Sequence, residues 1–261
     1  MLCFVVRGFE DQTVPAYRGR IDPAADVDEL VAEMLFADLD QTAARIEKLT
    51  AALRKPTAER DAQQRELELM KRLAEALEAD RPISQAVTSE SEAKLLRSFA
   101  FCSQTPALAV LNCGEDELGR HPPSVLGSLG CLQLSAKIEC ELTQLPGDER
   151  GEFLADLGVS ASVCDRLIRA CYERMNLVSF FTVNPNESRA WSIPAGTDAL
   201  TAAGLVHSDI ARGFIRAETV AYDDLKAAGD TKAAKAAGKV RLEGKNYVVQ
   251  DGDVIYFRFN V

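Results

Sequence analysis

Leu35, Leu39, Thr42, Ile46, Leu49 and Leu53 recur at alternating spacings of four and three, the seam of a heptad helix. Asp26 reads as its N-cap, with Glu29 three residues later completing a capping box. Pro56 stops the pattern, because the residue before a proline disfavours helix. A second helix, from about Thr57 to Ala79, carries Leu67, Met70, Ala74 and Leu77 at matching spacing. Two such helices across a tight break predict an antiparallel coiled-coil hairpin over residues 26–80. Arg45, Glu47, Lys48, Arg54, Lys55, Arg60 and Arg65 gather towards its tip. They form either a partner-contacting end or a solvated helical face. Thr88 or Ser89 caps a further helix, Glu90–Phe99.

Short apolar runs flank this hairpin. Leu2–Val6 is strand-like, and nothing precedes it to pair with, so strands upstream of Met1 are expected. Ala107-Leu108-Ala109-Val110-Leu111 is a continuous apolar run ending in Asn112-Cys113-Gly114-Glu115. Such a run predicts a strand of a parallel sheet buried on both faces. Ligands of these sheets bind at the carboxyl ends of the strands, where Asn112 and Glu115 lie. Cys131–Leu134 is a second short strand, ending in Ser135-Ala136-Lys137. The Gly119–Gly130 stretch between them predicts irregular chain with at most a short helix. Lys137 opens a helical stretch. Glu149–Leu157 and Ser162–Met175 follow as amphipathic helices with Phe153, Leu154, Leu157, Val163, Leu167, Ile168 and Cys171 inward.

The composition shifts near Leu177. Ser179–Val183, Arg189–Ile193 and Gly213–Val220 are strand-like. Asn184–Glu187 is a turn, and Asp198–Ala203, Tyr222–Ala227 and Thr231–Ala237 are short helices. Tyr247–Phe259 predicts a hairpin turning at Asp251-Gly252. The pattern divides the chain into 1–25 with 81–176, a helical arm at 26–80, and an α+β domain at 177–261.

The 261 residues carry a net charge of −10, which excludes a general nucleic-acid binder and argues against DNA, since phosphate contacts need Lys and Arg. From Leu177 onward ten basic residues balance ten acidic ones. Arg212, Arg216, Lys239, Arg241, Lys245 and Arg258 there form either a local RNA-facing patch or an ordinary mixed surface. No apolar run approaches the roughly 18 residues of a membrane span. Seven cysteines, with no Cys-x-x-Cys or Cys/His ligand spacing, point to reduced thiols in a cytoplasmic protein and to no metal centre. Cys113 reads as a small buried hydrophobe in preference to a redox-sensitive thiol. His121, and His207 with Asp209, lack the nucleophile that acid–base chemistry would need.

The Asn112-x-x-Glu115 turn and the Ser135-Ala136-Lys137 turn resemble the two base-reading loops of P-loop GTPases, where Asn-Lys-x-Asp is usual. The other reading of the first is a strand ending in an Asx-type turn. Arg7-Gly8-Phe9-Glu10-Asp11, Asp22-Pro23 and Ala37-Asp38-Leu39-Asp40 extend the likeness to YchF-type, Obg-related ATPases. So do Ser135–Glu139, Gly213–Glu218, Gly238–Lys245 and Val248–Ile255, the last three marking a TGS domain, a β-grasp module. The resemblance covers essentially the whole chain. It implies α/β plus α+β architecture: part of a P-loop GTPase sheet with an inserted coiled-coil arm, then the TGS domain. It implies ATP preferred over GTP, Mg²⁺ in intact relatives, and the ribosome (large subunit or 70S) as partner, with RNA a further candidate through the arm and TGS domain. Asn112, Glu115, Ser135, Ala136 and Lys137 are the base-binding residues it implies.

One motif is missing. No Gly-x-x-x-x-Gly-Lys-Ser/Thr occurs: Gly238-Lys239 precedes Val and Gly244-Lys245 precedes Asn. Phosphoryl transfer relies on that loop, its Lys and Mg²⁺. The expectation is therefore a truncated relative with no catalytic residues, weak nucleotide affinity at best and no hydrolysis. A non-enzymatic ribosome- or RNA-binding module is the alternative. A third is an incomplete product, marginally stable because the Leu2–Val6 edge is unpaired.

Overall fold

The computed structural model describes residues 1–54, 58–118, 123–156, 162–184 and 187–260. Lys55, Pro56, Thr57, Gly119, His121, Pro122, Leu157 and the Pro185-Asn186 turn lie outside them. Two compact units divide between Cys171 and Tyr172.

In the first unit, β1 (Leu2–Gly8) and helix α1 (Pro23–Ala52) are followed by α2 (Arg60–Glu78), α3 (Ile83–Ala86) and α4 (Glu90–Leu96). Then come β2 (Ala107–Cys113), β3 (Val125–Leu126), β4 (Leu129–Leu134), α5 (Ala136–Gln144), α6 (Arg150–Asp156) and α7 (Val163–Arg174). The sheet order is β1-β2-β4-β3. β2 runs parallel to both neighbours, with Val5 opposite Val110 and Leu111 opposite Gln133. β1 is an edge. β3 is antiparallel to β4, where irregular chain was expected. Its turn places Gly127 at φ 55°, and a Cβ there would lie 2.5 Å from Asp28 Oδ1 and 2.9 Å from the Ala24 carbonyl. The close approach of α1 to the sheet therefore selects glycine.

α1 starts earlier than Asp26. Its cap is Asp22, whose carboxylate accepts the Ala25 N–H at 3.1 Å, and Pro23 sits in the first turn. Proline's fixed φ suits that position and its missing N–H is no loss there. α2 packs back along α1. Leu35, Leu49, Leu67, Leu69, Met70, Leu73 and Leu77 are buried together, and Leu39, Ile46 and Leu53 are partly buried against them. Thr42, in the gap of the apolar seam, is fully buried and donates its hydroxyl to the Asp38 carbonyl at 2.7 Å. Arg45 grips Glu66 through two hydrogen bonds of 2.7 and 2.9 Å. Ser89 caps α4, and Glu92 reaches back to the Thr88 N–H at 2.8 Å. α7 covers one sheet face: Val163, Leu167 and Ala170 meet Leu108, Val110 and Leu134. Ile168 is 52% exposed, against expectation. The packed stripe of α7 is narrower than its apolar content suggests.

The second unit is a mixed sheet, β6-β5-β9-β7-β8, built from β5 (Leu177–Asn184), β6 (Glu187–Pro194), β7 (Phe214–Ala221), β8 (Arg241–Glu243) and β9 (Asp253–Phe259). Its helices are α8 (Ala199–Val206), α9 (Ser208–Arg212), α10 (Tyr222–Ala228) and α11 (Thr231–Ala236). One face packs Phe180, Ile193, Phe214, Ile255 and Phe257 on the alanines of α8, and the other packs Val220 and Val254 on Ala234. The hairpin expected at Asp251-Gly252 does not form. Asp251 accepts the Ser179 N–H at 2.8 Å, Gly252 donates to the Ser179 carbonyl at 2.8 Å, and β9 pairs with β7 and β5. Among the described residues no helix is long and apolar enough to cross a membrane.

Candidate nucleotide-binding site

The ends of β2 and β4 diverge around a cleft of about 660 Å³. Its walls are Phe9–Asp11 after β1, Asn112–Asp116 after β2, and Ser135–Lys137 at the start of α5. All five residues singled out in the sequence therefore line one space. Asn112 is the last residue of β2 paired with β4. Its side-chain oxygen accepts the Ala136 N–H at 3.0 Å, which ties the two loops together and leaves the amide NH₂ as the free donor. Glu115 opens a short 3₁₀ turn, Glu115–Glu117, and pairs with Lys137. That partner raises the Lys137 ammonium above its usual pKa.

Ser135 lies at the floor. Its hydroxyl is buried and has no partner among the described residues, and it does not cap α5. An unpaired buried hydroxyl is costly. Cys113 is buried and donates its thiol to the Leu134 carbonyl at 3.2 Å. Burial pushes its pKa up, the behaviour of an inert packing residue. Arg166 of α7 donates to the Gln133 carbonyl at 3.0 Å and so holds β4 just before the cleft.

The third wall was not singled out as a site in the sequence. Arg7 builds it, donating to the carbonyls of Phe9, Val14 and Asp11 at 2.8, 2.7 and 3.1 Å with its guanidinium over the Phe9 ring. The Thr13 hydroxyl and N–H both bind the Asp11 carboxylate and hold its pKa below the usual range. Among the described residues the cleft thus carries the carboxylates of Glu10, Asp11, Glu115 and Asp116 with the cation Lys137. Such a surface suits a neutral purine and repels phosphates. Among the described residues no group of three or more His, Cys, Asp or Glu is placed to hold a metal ion.

The other candidates are structural. His207 Nδ1 accepts the Asp209 N–H at 3.1 Å and starts α9, while Asp209 pairs with Arg212. Of the basic subset in the second unit, Lys239 pairs with Asp224, Arg241 with Glu243 and Asp253, and Arg258 with Glu218.

Over 270 residues the chain is 40% identical to the ribosome-binding ATPase YchF of Bacillus subtilis (strain 168), covering all of this chain and 73% of that protein. The chain belongs to the YchF family. The YchF protein of Escherichia coli O157:H7 is 34% identical over 98% of this chain and 72% of its own length. Obg-like ATPase 1 of Caenorhabditis elegans is 32% identical over 99% and 68%. The family model YchF-GTPase_C, described as a protein of unknown function (DUF933), matches residues 177–260. Among solved structures, the Schizosaccharomyces pombe YchF GTPase superposes with a TM-score of 0.80 at 27% identity, over 98% of this chain and 71% of that one. The mixed α/β fold is therefore that of a YchF GTPase.

Proposed function

We propose that this YchF-family chain is a cytoplasmic, ribosome-associated protein that holds the purine end of a nucleotide in the cleft between Asn112 and Lys137. The observation that carries this reading is the Asn112–Ala136 hydrogen bond of 3.0 Å, which brings the two base-reading loops together beside the unpaired Ser135 hydroxyl. The Asn112 NH₂ then donates to the purine, and Glu115 and Ser135 accept or donate at its edge. ATP is favoured over GTP because Asn-x-x-Glu replaces the guanine-reading Asn-Lys-x-Asp. Acidic side chains dominate the described lining of the cleft, and the 261 residues hold no Walker loop, so this polypeptide alone binds ATP weakly and releases no phosphate. Residues 26–80 act as a coiled-coil arm and residues 177–260 as a TGS domain. Together these make the ribosome contact, in keeping with relatives named ribosome-binding ATPases.

The acidic lining of the cleft favours a second reading, in which nucleotide does not bind and the chain is purely a ribosome- or RNA-binding module. Titration of the 261-residue chain with ATP and GTP, with and without Asn112→Ala, decides between them. Sub-millimolar ATP binding that is lost in the variant supports the first reading. Undetectable binding with retained co-sedimentation on ribosomes supports the second.

A further inference from the structure

Cys3 and Cys171, two of the seven cysteines, are neighbours. Along β1, Val6 points to the face that packs on Val27 of α1. Cys3, three residues away, points to the other face. Cys3 lies opposite Leu108 in the parallel register, and Leu108 is packed against Val163, Leu167 and Ala170 of α7. Cys171 follows Ala170 and lies one turn beyond Leu167, on the same stripe of α7. Burial, and after it the neighbouring Cys171, push the Cys3 thiol's pKa up. Cys3 is also solvent-exposed, with Cys171 partly so, and small oxidants reach it. Packing alone does not call for two sulfurs at this point.

We propose that Cys3 and Cys171 are a dithiol modification site, converted by a hydroperoxide into an intramolecular disulfide that ties edge strand β1 to α7. One thiolate attacks the peroxide O–O bond and becomes a sulfenic acid, releasing the hydroxide that protonation turns to water. The neighbouring thiolate attacks that sulfenic sulfur, the S–S bond forms, and a second water leaves. Two thiols lose two electrons and hydrogen peroxide gains them. The cross-link joins two elements that support the cleft from outside. β1 carries Arg7, which shapes the Phe9–Asp11 wall, and α7 carries Arg166, which holds Gln133 beside Ser135. It also closes a loop spanning nearly the whole first unit, the kind of long loop whose closure stabilises most.

The test uses the full 261-residue chain, freshly reduced, freed of reductant and treated with hydrogen peroxide. Expected is a monomer lighter by two hydrogens, a Cys3–Cys171 cross-linked peptide on non-reducing mass mapping, and a raised melting temperature that dithiothreitol reverses. Cys140 and Cys164, both exposed, should remain alkylatable at that stage. Cys171→Ser removes the cross-linked peptide and the rise in melting temperature. Cys3→Val, which keeps the strand apolar, does the same and serves if the serine variant folds poorly. Cys3 and Cys171 still free after Cys164 has been oxidised, or joined only to other chains, would overturn the proposal.

Discussion

The Asp38 carboxylate, buried within α1, accepts the Ser103 N–H at 2.7 Å and the Cys102 N–H at 2.8 Å. Ser103 in turn accepts the Ile83 N–H at 3.1 Å. One side chain therefore fixes α1 to the chain entering β2 and, through Ser103, to α3. Hydrogen bonds to a charged acceptor contribute about 1.5–3 kcal/mol each, and removing the acceptor strands two N–H donors in the interior. Asp38→Ala is expected to lose about 3 kcal/mol. Asp38→Asn keeps one acceptor oxygen and should lose roughly half as much. Denaturant midpoints measure both, and a loss below about 1 kcal/mol for the alanine variant would contradict this role.

Asn112 has two jobs that substitution separates. Its oxygen holds Ala136 and its NH₂ faces the cleft. Asn112→Ala loses both, with about 1 kcal/mol of stability and all measurable nucleotide binding gone. Asn112→Asp still accepts the Ala136 N–H but adds a fifth carboxylate to the cleft. Its melting temperature should stay near that of the parent while ATP affinity falls at least about tenfold, a loss of about 1.4 kcal/mol. Equal affinity in parent and aspartate variant would remove the purine from this site.

Where structure followed local sequence, it was legible. The unbroken apolar run of Ala107–Leu111 gave away a buried parallel strand, and the alternating spacing from Leu35 to Leu53 gave away α1. Asp26 with Glu29 mimics a capping box, yet the fixed φ of Pro23 starts the helix at Asp22 instead. Asp251-Gly252 mimics a hairpin turn, but its partner, Ser179, is 72 residues away, and local patterning carries no record of that. The site shows the same division. Asn112, Glu115 and Ser135–Lys137 stood out because each motif is contiguous. The Phe9–Asp11 wall did not, because it depends on one arginine reaching three carbonyls.

Glu92 gives the first unit an acid-sensitive tie. Arg72 binds its carboxylate at 2.7 Å, and the Thr88 N–H and hydroxyl bind it at 2.8 and 3.0 Å. The hydrogen bond from Arg72, then that from the Thr88 backbone, lowers its pKa from the ordinary 4.5 to about 2. A carboxyl depressed by folding stabilises above its unfolded pKa, and that contribution disappears as pH falls through the folded value. Thermal melts should therefore show a decline from about pH 4.5 down to about 2, shallower in Glu92→Gln. The same acid limb in parent and variant would place the sensitivity elsewhere.

Tyr247 sets the opposite limb in the second unit. Its hydroxyl donates to Asp253 at 2.7 Å and accepts from Arg241 at 2.8 Å. Burial, then the Asp253 carboxylate, raises its pKa from 10.0 to about 12. The bound proton stabilises the fold at every pH below the unfolded value, and the benefit disappears as pH climbs through the folded one. Ultraviolet titration of tyrosinate should find one of the five tyrosines ionising late, near pH 12. Tyr247→Phe should erase that late step, and its alkaline unfolding should begin no earlier than the parent's once the parent passes its own step. A late step that persists in the phenylalanine variant would assign the retained proton to another tyrosine and leave Asp253 with only Arg241 and the Gln250 N–H as its partners.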